Sequence, residues 1–122
     1  MKSHRDLDVW KKSIGLVREI YVLTKKFPPD ELYGLTSQMR RAAVSVPSNI
    51  AEGAARGSSK EFSRFLSISL GSLAEMETQL LIAENLNYLP PDISVSQEIE
   101  RIRKLLHGLS NSVNGKKRKD AD

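Results

Sequence analysis

A chain of 122 residues with 39% hydrophobic content has the size of one domain and enough apolar material to line the seam of a helical bundle. Its 28% charged residues and its few glycines and prolines favour helices over a disordered chain, while the lack of cysteine excludes disulfides, thiolate metal ligation and cysteine nucleophiles and fits a cytoplasmic protein. The net charge of +4 comes from 19 basic and 15 acidic residues, with half of the excess in the last stretch, Lys116–Asp122, so the charge tilts the expectation only modestly towards a phosphate-bearing partner.

The first helix is expected over about residues 7–27. Leu7, Trp10, Ile14, Val17, Tyr21 and Thr24 recur at helical spacing, Asp6 suits the N-cap, and Pro28-Pro29 stops the run. The charged residues at its start do not read as a secretory signal, and no window approaches the roughly 18 apolar residues of a membrane span.

The second helix is expected over about 31–55, with Leu32, Leu35, Met39, Ala42, Ala43, Val46, Ile50 and Ala54 on one face. Pro47 falls inside it and deprives the Ala43 carbonyl of its usual donor. The helix therefore kinks there or divides in two; the apolar face keeps its phase across the proline, which favours the kink. Gly53 and Gly57 supply the exit.

Ser58 followed by Glu61 is a capping box that opens the third helix, expected over about 59–87, whose seam runs through Phe62, Leu66, Ser69, Leu73, Met76, Leu80 and Ala83. Asn85, Asn87, Pro90 and Pro91 end it. A second box, Ser94 with Gln97, opens the fourth helix, expected over about 95–113 and burying Val95, Ile99, Ile102, Leu106, Leu109 and Val113. Residues 114–122 form a flexible basic tail. Four amphipathic helices with short connections give an all-α, antiparallel up-down-up-down four-helix bundle spanning residues 1–113 as one domain.

The chain offers little for catalysis. It has no Glu-x-x-His pair of the kind a di-iron bundle uses, and His4 and His107 read as surface residues. No Gly-x-Ser-x-Gly is present, and Gly53–Gly57 lacks the Lys-Ser/Thr ending of a phosphate loop. A non-enzymatic protein without metal or cofactor is expected.

Three features go beyond plain amphipathic helices. Arg40-Arg41 and the polar group Ser48, Asn49 and Glu52 bracket the apolar face of the second helix; the polar group either satisfies backbone freed by Pro47 or belongs to a recognition surface. Ser63, Ser67, Gly71, Ala74 and Thr78 make a stripe of small residues on the third helix, suited to close approach of another helix, within the chain or from a neighbouring subunit. Further basic residues spread over the first and fourth helices as a solvated or phosphate-tracking face.

Several strings resemble the bacterial four-helix bundle proteins first recognised as reading frames in intervening sequences of large-subunit ribosomal RNA genes. They are Asp8-Val9-Trp10-Lys11, the run Tyr33–Ala43, the run Val46–Gly53, Glu61-Phe62 with Phe65-Leu66, and Gly71–Gln79. The resemblance covers about Asp8 to Leu109. It implies an up-down bundle assembled into a homo-oligomeric ring, commonly a pentamer, and a relation to the accessory protein of diversity-generating retroelements, whose partners are nucleic acid and a reverse transcriptase. It carries over no catalytic residues.

The function expected is a non-catalytic homo-oligomer that binds RNA or other nucleic acid through basic surfaces repeated around the assembly. The residues assigned to binding are Arg40, Arg41, Arg56, Lys60 and Arg64, with Lys116, Lys117, Arg118 and Lys119 of the tail. A protein-interaction scaffold without nucleic acid is the alternative.

Overall fold

A computed structural model describes residues 3–121, with side chains described for all of these except Asp6, Ile93 and residues 116–121. Among the described residues the elements are four α-helices, α1 (Asp8–Thr24), α2 (Leu35–Ala55), α3 (Ser59–Asn85) and α4 (Ile93–Ala121), with short 3-10 turns at His4–Asp6 and Pro29–Glu31 and no strand. Each helix packs on its neighbours in chain order, and α4 closes the ring against α1. Paired residues fix the directions. Along α2 and α3 the partners Ser45–Ser72, Val46–Ser69 and Gly53–Phe65 run in opposite senses, as do Glu77–Arg103 and Ser63–Asn114 along α3 and α4. The result is the antiparallel four-helix bundle expected from the periodicity.

The core is one continuous apolar cluster, with Leu16, Ile20, Met39, Ile50, Leu66, Leu73, Met76, Ile99, Ile102 and Leu106 fully buried. Each such side chain contributes about 1.5–3 kcal/mol relative to exposure. The seams expected on α3 and α4 are the buried ones, Phe62 and Leu109 being only partly covered.

Helix α1 differs. It carries two apolar stripes about 100° apart, and the structure buries Val9, Ser13, Leu16, Ile20 and Leu23 together with Thr24 of the expected stripe, of which Leu7, Trp10 and Val17 pack only partly against the core. The buried set includes two polar residues, Ser13 and Thr24. Both are satisfied locally, since Ser13 Oγ donates to the Val9 carbonyl at 2.6 Å and Thr24 Oγ1 to that of Ile20 at 2.8 Å, so their burial costs little. The bulkier stripe is left towards the surface, with Ile14 and Tyr21 about two-fifths exposed.

Helix ends also depart from expectation. Leu7, not Asp6, occupies the N-cap position of α1. Helix α2 starts at Leu35 rather than near residue 31, because Glu31 belongs to the preceding 3-10 turn and turns its side chain back to accept from the Leu35 N–H at 3.2 Å. The same carboxylate accepts from Tyr88 Oη at 2.7 Å, which ties this turn to the α3–α4 connection. Helix α2 runs through Pro47 without dividing. At its end Gly57, with φ of 78°, takes the left-handed conformation, whereas Gly53 lies inside the helix and is no exit.

Ser58 Oγ accepts from the Glu61 N–H at 3.1 Å, the forward half of the expected box. Helix α3 ends in a left-handed Asn87, with the Tyr88 N–H on the Ala83 carbonyl and the Asn87 N–H on that of Glu84, a Schellman arrangement. The cap of α4 is Asp92 rather than Ser94: its Oδ1 accepts from the Val95 N–H at 3.1 Å and from Ser94 Oγ at 3.0 Å. Helix α4 then passes residue 113 and Gly115 and continues to Ala121. The expected tail thus has a helical backbone, as lysine, arginine and alanine extend an existing helix at little cost.

Candidate nucleic-acid and assembly face

The apolar stripe that α1 does not bury runs beside α2 and makes one long face with it. Its two ends differ. Near the start of α1 a furrow of about 300 Å³ is walled by His4, Trp10, Ile14, Val17, Val44, Pro47, Ser48 and Ala51, almost all apolar. The His4 ring stands edge-on to Trp10 with centroids 5.0 Å apart. Towards the start of α2 a larger groove, about 660 Å³, is lined by Tyr21, Leu32, Tyr33, Thr36, Ser37, Arg40, Arg41, Val44 and Ser45. No carboxylate lines it.

Within that groove the two arginines have different surroundings. Arg40 Nε donates to Thr24 Oγ1 at 2.8 Å, and its guanidinium lies 4.6 Å from the centre of the Tyr21 ring, so it is held against α1. Arg41 is exposed and has no acidic partner among the described residues. Tyr33, in the turn before α2, is 93% exposed.

The remaining expected binding residues lie elsewhere. Arg56, Lys60 and Arg64 cluster around the α2–α3 turn, sixteen or more residues along from Arg40, which is about 24 Å of helix. Arg56 pairs with Glu52 at 2.8 Å and Arg64 with Glu61 at 3.3 Å, and both guanidiniums also approach the Phe65 ring, at 5.1 and 4.9 Å. Lys60 is exposed and has no ion pair among the described residues. The side chains of Lys116, Lys117, Arg118 and Lys119 lie outside the described residues. Among the described residues the expected binding residues therefore fall into two regions along α2, not one patch.

The polar group Ser48, Asn49 and Glu52 does not act as a unit. Asn49 Nδ2 donates to the Ser45 carbonyl and to Ser45 Oγ, both at 2.8 Å, and Ser45 shares a 2.8 Å hydrogen bond with Ser72 of α3. Ser69 Oγ donates to the Val46 carbonyl at 2.9 Å. These bonds fasten α2 to α3, but they reach the carbonyls of Ser45 and Val46 rather than that of Ala43, which Pro47 leaves short. Ser48 faces the apolar furrow, and Glu52 is spent on Arg56.

Gly53 completes this joint, because a Cβ there would stand 2.7 Å from Phe65 Cβ and 3.1 Å from Phe62 Cδ1. The small-residue stripe does not take part in it. Ser67, Gly71, Ala74 and Thr78 are exposed, and Ser63 turns to Asn114 of α4 at 2.9 Å. The close approach inside the bundle uses Ser45, Gly53, Ser69 and Ser72 instead.

The profile of the 23S rRNA-intervening sequence protein family matches residues 5–108. The chain belongs to that family. The matched span takes in the furrow apart from His4, the arginine groove and the cationic turn at Arg56–Arg64, and stops short of Lys116–Lys119. A search of curated proteins gives no match.

Elsewhere the charges serve the bundle. Arg103 of α4 bridges Glu77 of α3 at 2.8 Å and Glu100 of its own helix; burial pulls its pKa down, but these two carboxylates outweigh it and hold it above the usual range. Between α1 and α4, burial raises the Glu19 carboxyl, helped by the charges of Glu98 and Asp92. Among the described residues no group of three potential ligands gathers for a metal ion, and no helix is long and apolar enough to cross a membrane.

The sequence alone missed Tyr21 and Tyr33 as groove residues. Tyr21 fits the bulkier stripe of α1 and so looks like core. Tyr33 carries a signal of its own, an aromatic residue set in a turn between two prolines and a helix start, where nothing is available to bury it.

Proposed function

We propose that this chain is a non-catalytic homo-oligomeric bundle that binds RNA or other nucleic acid through basic surfaces repeated around the assembly. The observation that carries the proposal is the groove lined by both Arg40 and Arg41, in which no carboxylate stands among the described lining residues. Phosphate is the complementary group for such a pair. Arg56, Lys60 and Arg64, at the other end of the bundle, add charge that a longer polynucleotide would reach.

Self-assembly is supported by the furrow between α1 and α2. Trp10, Ile14, Val17 and Val44 keep apolar surface near solvent in one continuous strip, which a second subunit would cover. Repetition of the arginine groove around a ring would turn a modest charge per chain into a strong field. The pentamer implied by the resemblance is the assembly size we adopt.

The test is light scattering of the purified protein with and without a structured RNA, at low and at moderate salt. The expected outcome is a species several times the mass of one chain that gains RNA at low salt and releases it as salt rises. An assembly that ignores RNA at every salt would support the scaffold reading instead. A monomer would remove the reason for treating weak charges as a repeated surface.

A further inference from the structure

The groove over Arg41 holds more than charge. Its rim carries Tyr33, 93% exposed, and Leu32, 50% exposed, in the turn before α2, and its far wall carries Tyr21, 40% exposed. A tyrosine ring with almost all of its surface in water gains nothing from the apolar core. Among the described residues no hydrogen bond or ring contact uses it, unlike Tyr88 on Glu31 and Tyr21 under Arg40. Nor is the turn loose: Glu31 fastens it to the Leu35 N–H and, through Tyr88, to the α3–α4 connection. The exposed ring is therefore presented from an anchored support.

An open aromatic face in one groove with an exposed guanidinium, with the Ser37 hydroxyl among the lining and no carboxylate among the described lining residues, is the chemistry that holds unpaired bases and the phosphates between them. A duplex hides its base faces, so it could use Arg41 but not the Tyr33 ring. We infer that this groove is selective for single-stranded nucleic acid, with a base stacked on Tyr33 and an adjacent phosphate on Arg41. This rests on the nucleic-acid reading above and adds the strandedness and the residue that decides it. Arg40, already held by Thr24 and Tyr21, keeps the inner wall positive and in place.

The test uses the full chain and two probes, a labelled oligouridylate and the duplex it forms with oligoadenylate, titrated by fluorescence anisotropy. The wild-type protein is expected to bind the single strand more tightly. Tyr33→Ala should weaken single-strand binding about ten-fold and leave the duplex unchanged, and Tyr33→Phe should restore the loss, because every base can stack on a phenyl ring. Arg41→Gln should weaken both probes.

Equal effects of Tyr33→Ala on the two probes, or none on either, would overturn the inference while nucleic-acid binding itself stood. Failure of the wild-type protein to bind either probe would instead defeat the broader reading. Light scattering of Tyr33→Ala closes the remaining route: a change in assembly mass would mean that the ring is covered by another subunit, which also overturns the inference. With Tyr33 so exposed, its substitution should leave the unfolding midpoint where it was, so loss of fold does not obscure the result.

Discussion

The α2–α3 seam and the α1–α4 seam solve the same packing problem with different means. Where α2 meets α3, Gly53 lets the helices approach until backbone lies against Phe62 and Phe65, and Ser45, Ser72 and Ser69 spend their hydroxyls across the joint. Where α1 meets α4 the contact is sparser, and its polar edge gathers Glu19, Glu98 and Asp92, carboxylates that repel. The first seam is closely packed; the second rests on Leu16, Ile20, Leu23 and Val95, with Glu19, Glu98 and Asp92 along its edge. Close packing and satisfied hydroxyls lie on the stretch of α2 that also carries Pro47, although they reach the Ser45 and Val46 carbonyls and not that of Ala43.

The comparison is broken most severely at Gly53. Gly53→Val would drive methyl groups into Phe65 Cβ, which cannot swing away, and should cost about 1–3 kcal/mol. Urea unfolding should show a lower midpoint with an unchanged slope. An unaltered midpoint would mean that α2 and α3 are not closely joined.

A smaller effect is expected at the start of α4. Asp92→Ala removes the cap of that helix and should cost about 1 kcal/mol, while Asp92→Asn, which caps without charge, should keep most of it. The Val95 N–H is the main cause that lowers the Asp92 carboxyl below its ordinary value, with Ser94 Oγ next. A carboxyl lowered in the folded state contributes its stability above the ordinary carboxylate range and loses it as pH falls through the lowered folded value. Thermal unfolding of the wild type as pH falls from the ordinary carboxylate range into more strongly acid solution should show that loss, and Asp92→Asn should remove it.

The smallest effect has the opposite sign. Burial, then Glu98 and Asp92, raise the Glu19 carboxyl, so its contribution favours the fold only while it is protonated and is lost as pH rises through the raised value. At neutral pH the ionised Glu19 is a net cost. Glu19→Gln should stabilise the bundle by no more than about 0.5 kcal/mol, because the group is largely solvated and salt screens it. The gain should shrink at high salt and vanish at acid pH, which a pair of thermal melts would reveal.

How far these features were legible in the sequence follows from how local they are. The Ser58 cap and the seams of α3 and α4 depend on neighbours within one or two turns, and the sequence places them, whereas the left-handed turn at Asn87 comes from the structure. The cap at Asp92 hides behind a plausible Ser94–Gln97 pair one turn away, and only geometry separates the two. The binding residues divide in the same way. That Arg40 and Arg41 adjoin is read directly, but that Arg40 is drawn onto Tyr21 while Arg41 stays free depends on where α1 lies. The distance from these arginines to Arg56, Lys60 and Arg64 follows from α2 being one unbroken helix.

By itself, then, the sequence determined an all-α chain of four amphipathic helices and the antiparallel order that short connections impose, because periodicity, caps and turn residues act over a few positions. The tertiary structure decided which of the two stripes of α1 is buried. Both stripes satisfy helical periodicity, and the choice rests on which one fits between α2 and α4 with Ser13 and Thr24 bonded to their own helix. That choice leaves Trp10, Ile14, Val17 and Tyr21 facing outward beside α2, and so makes both the apolar furrow and the arginine groove. Such a surface belongs to the packing of two helices and to neither of them alone.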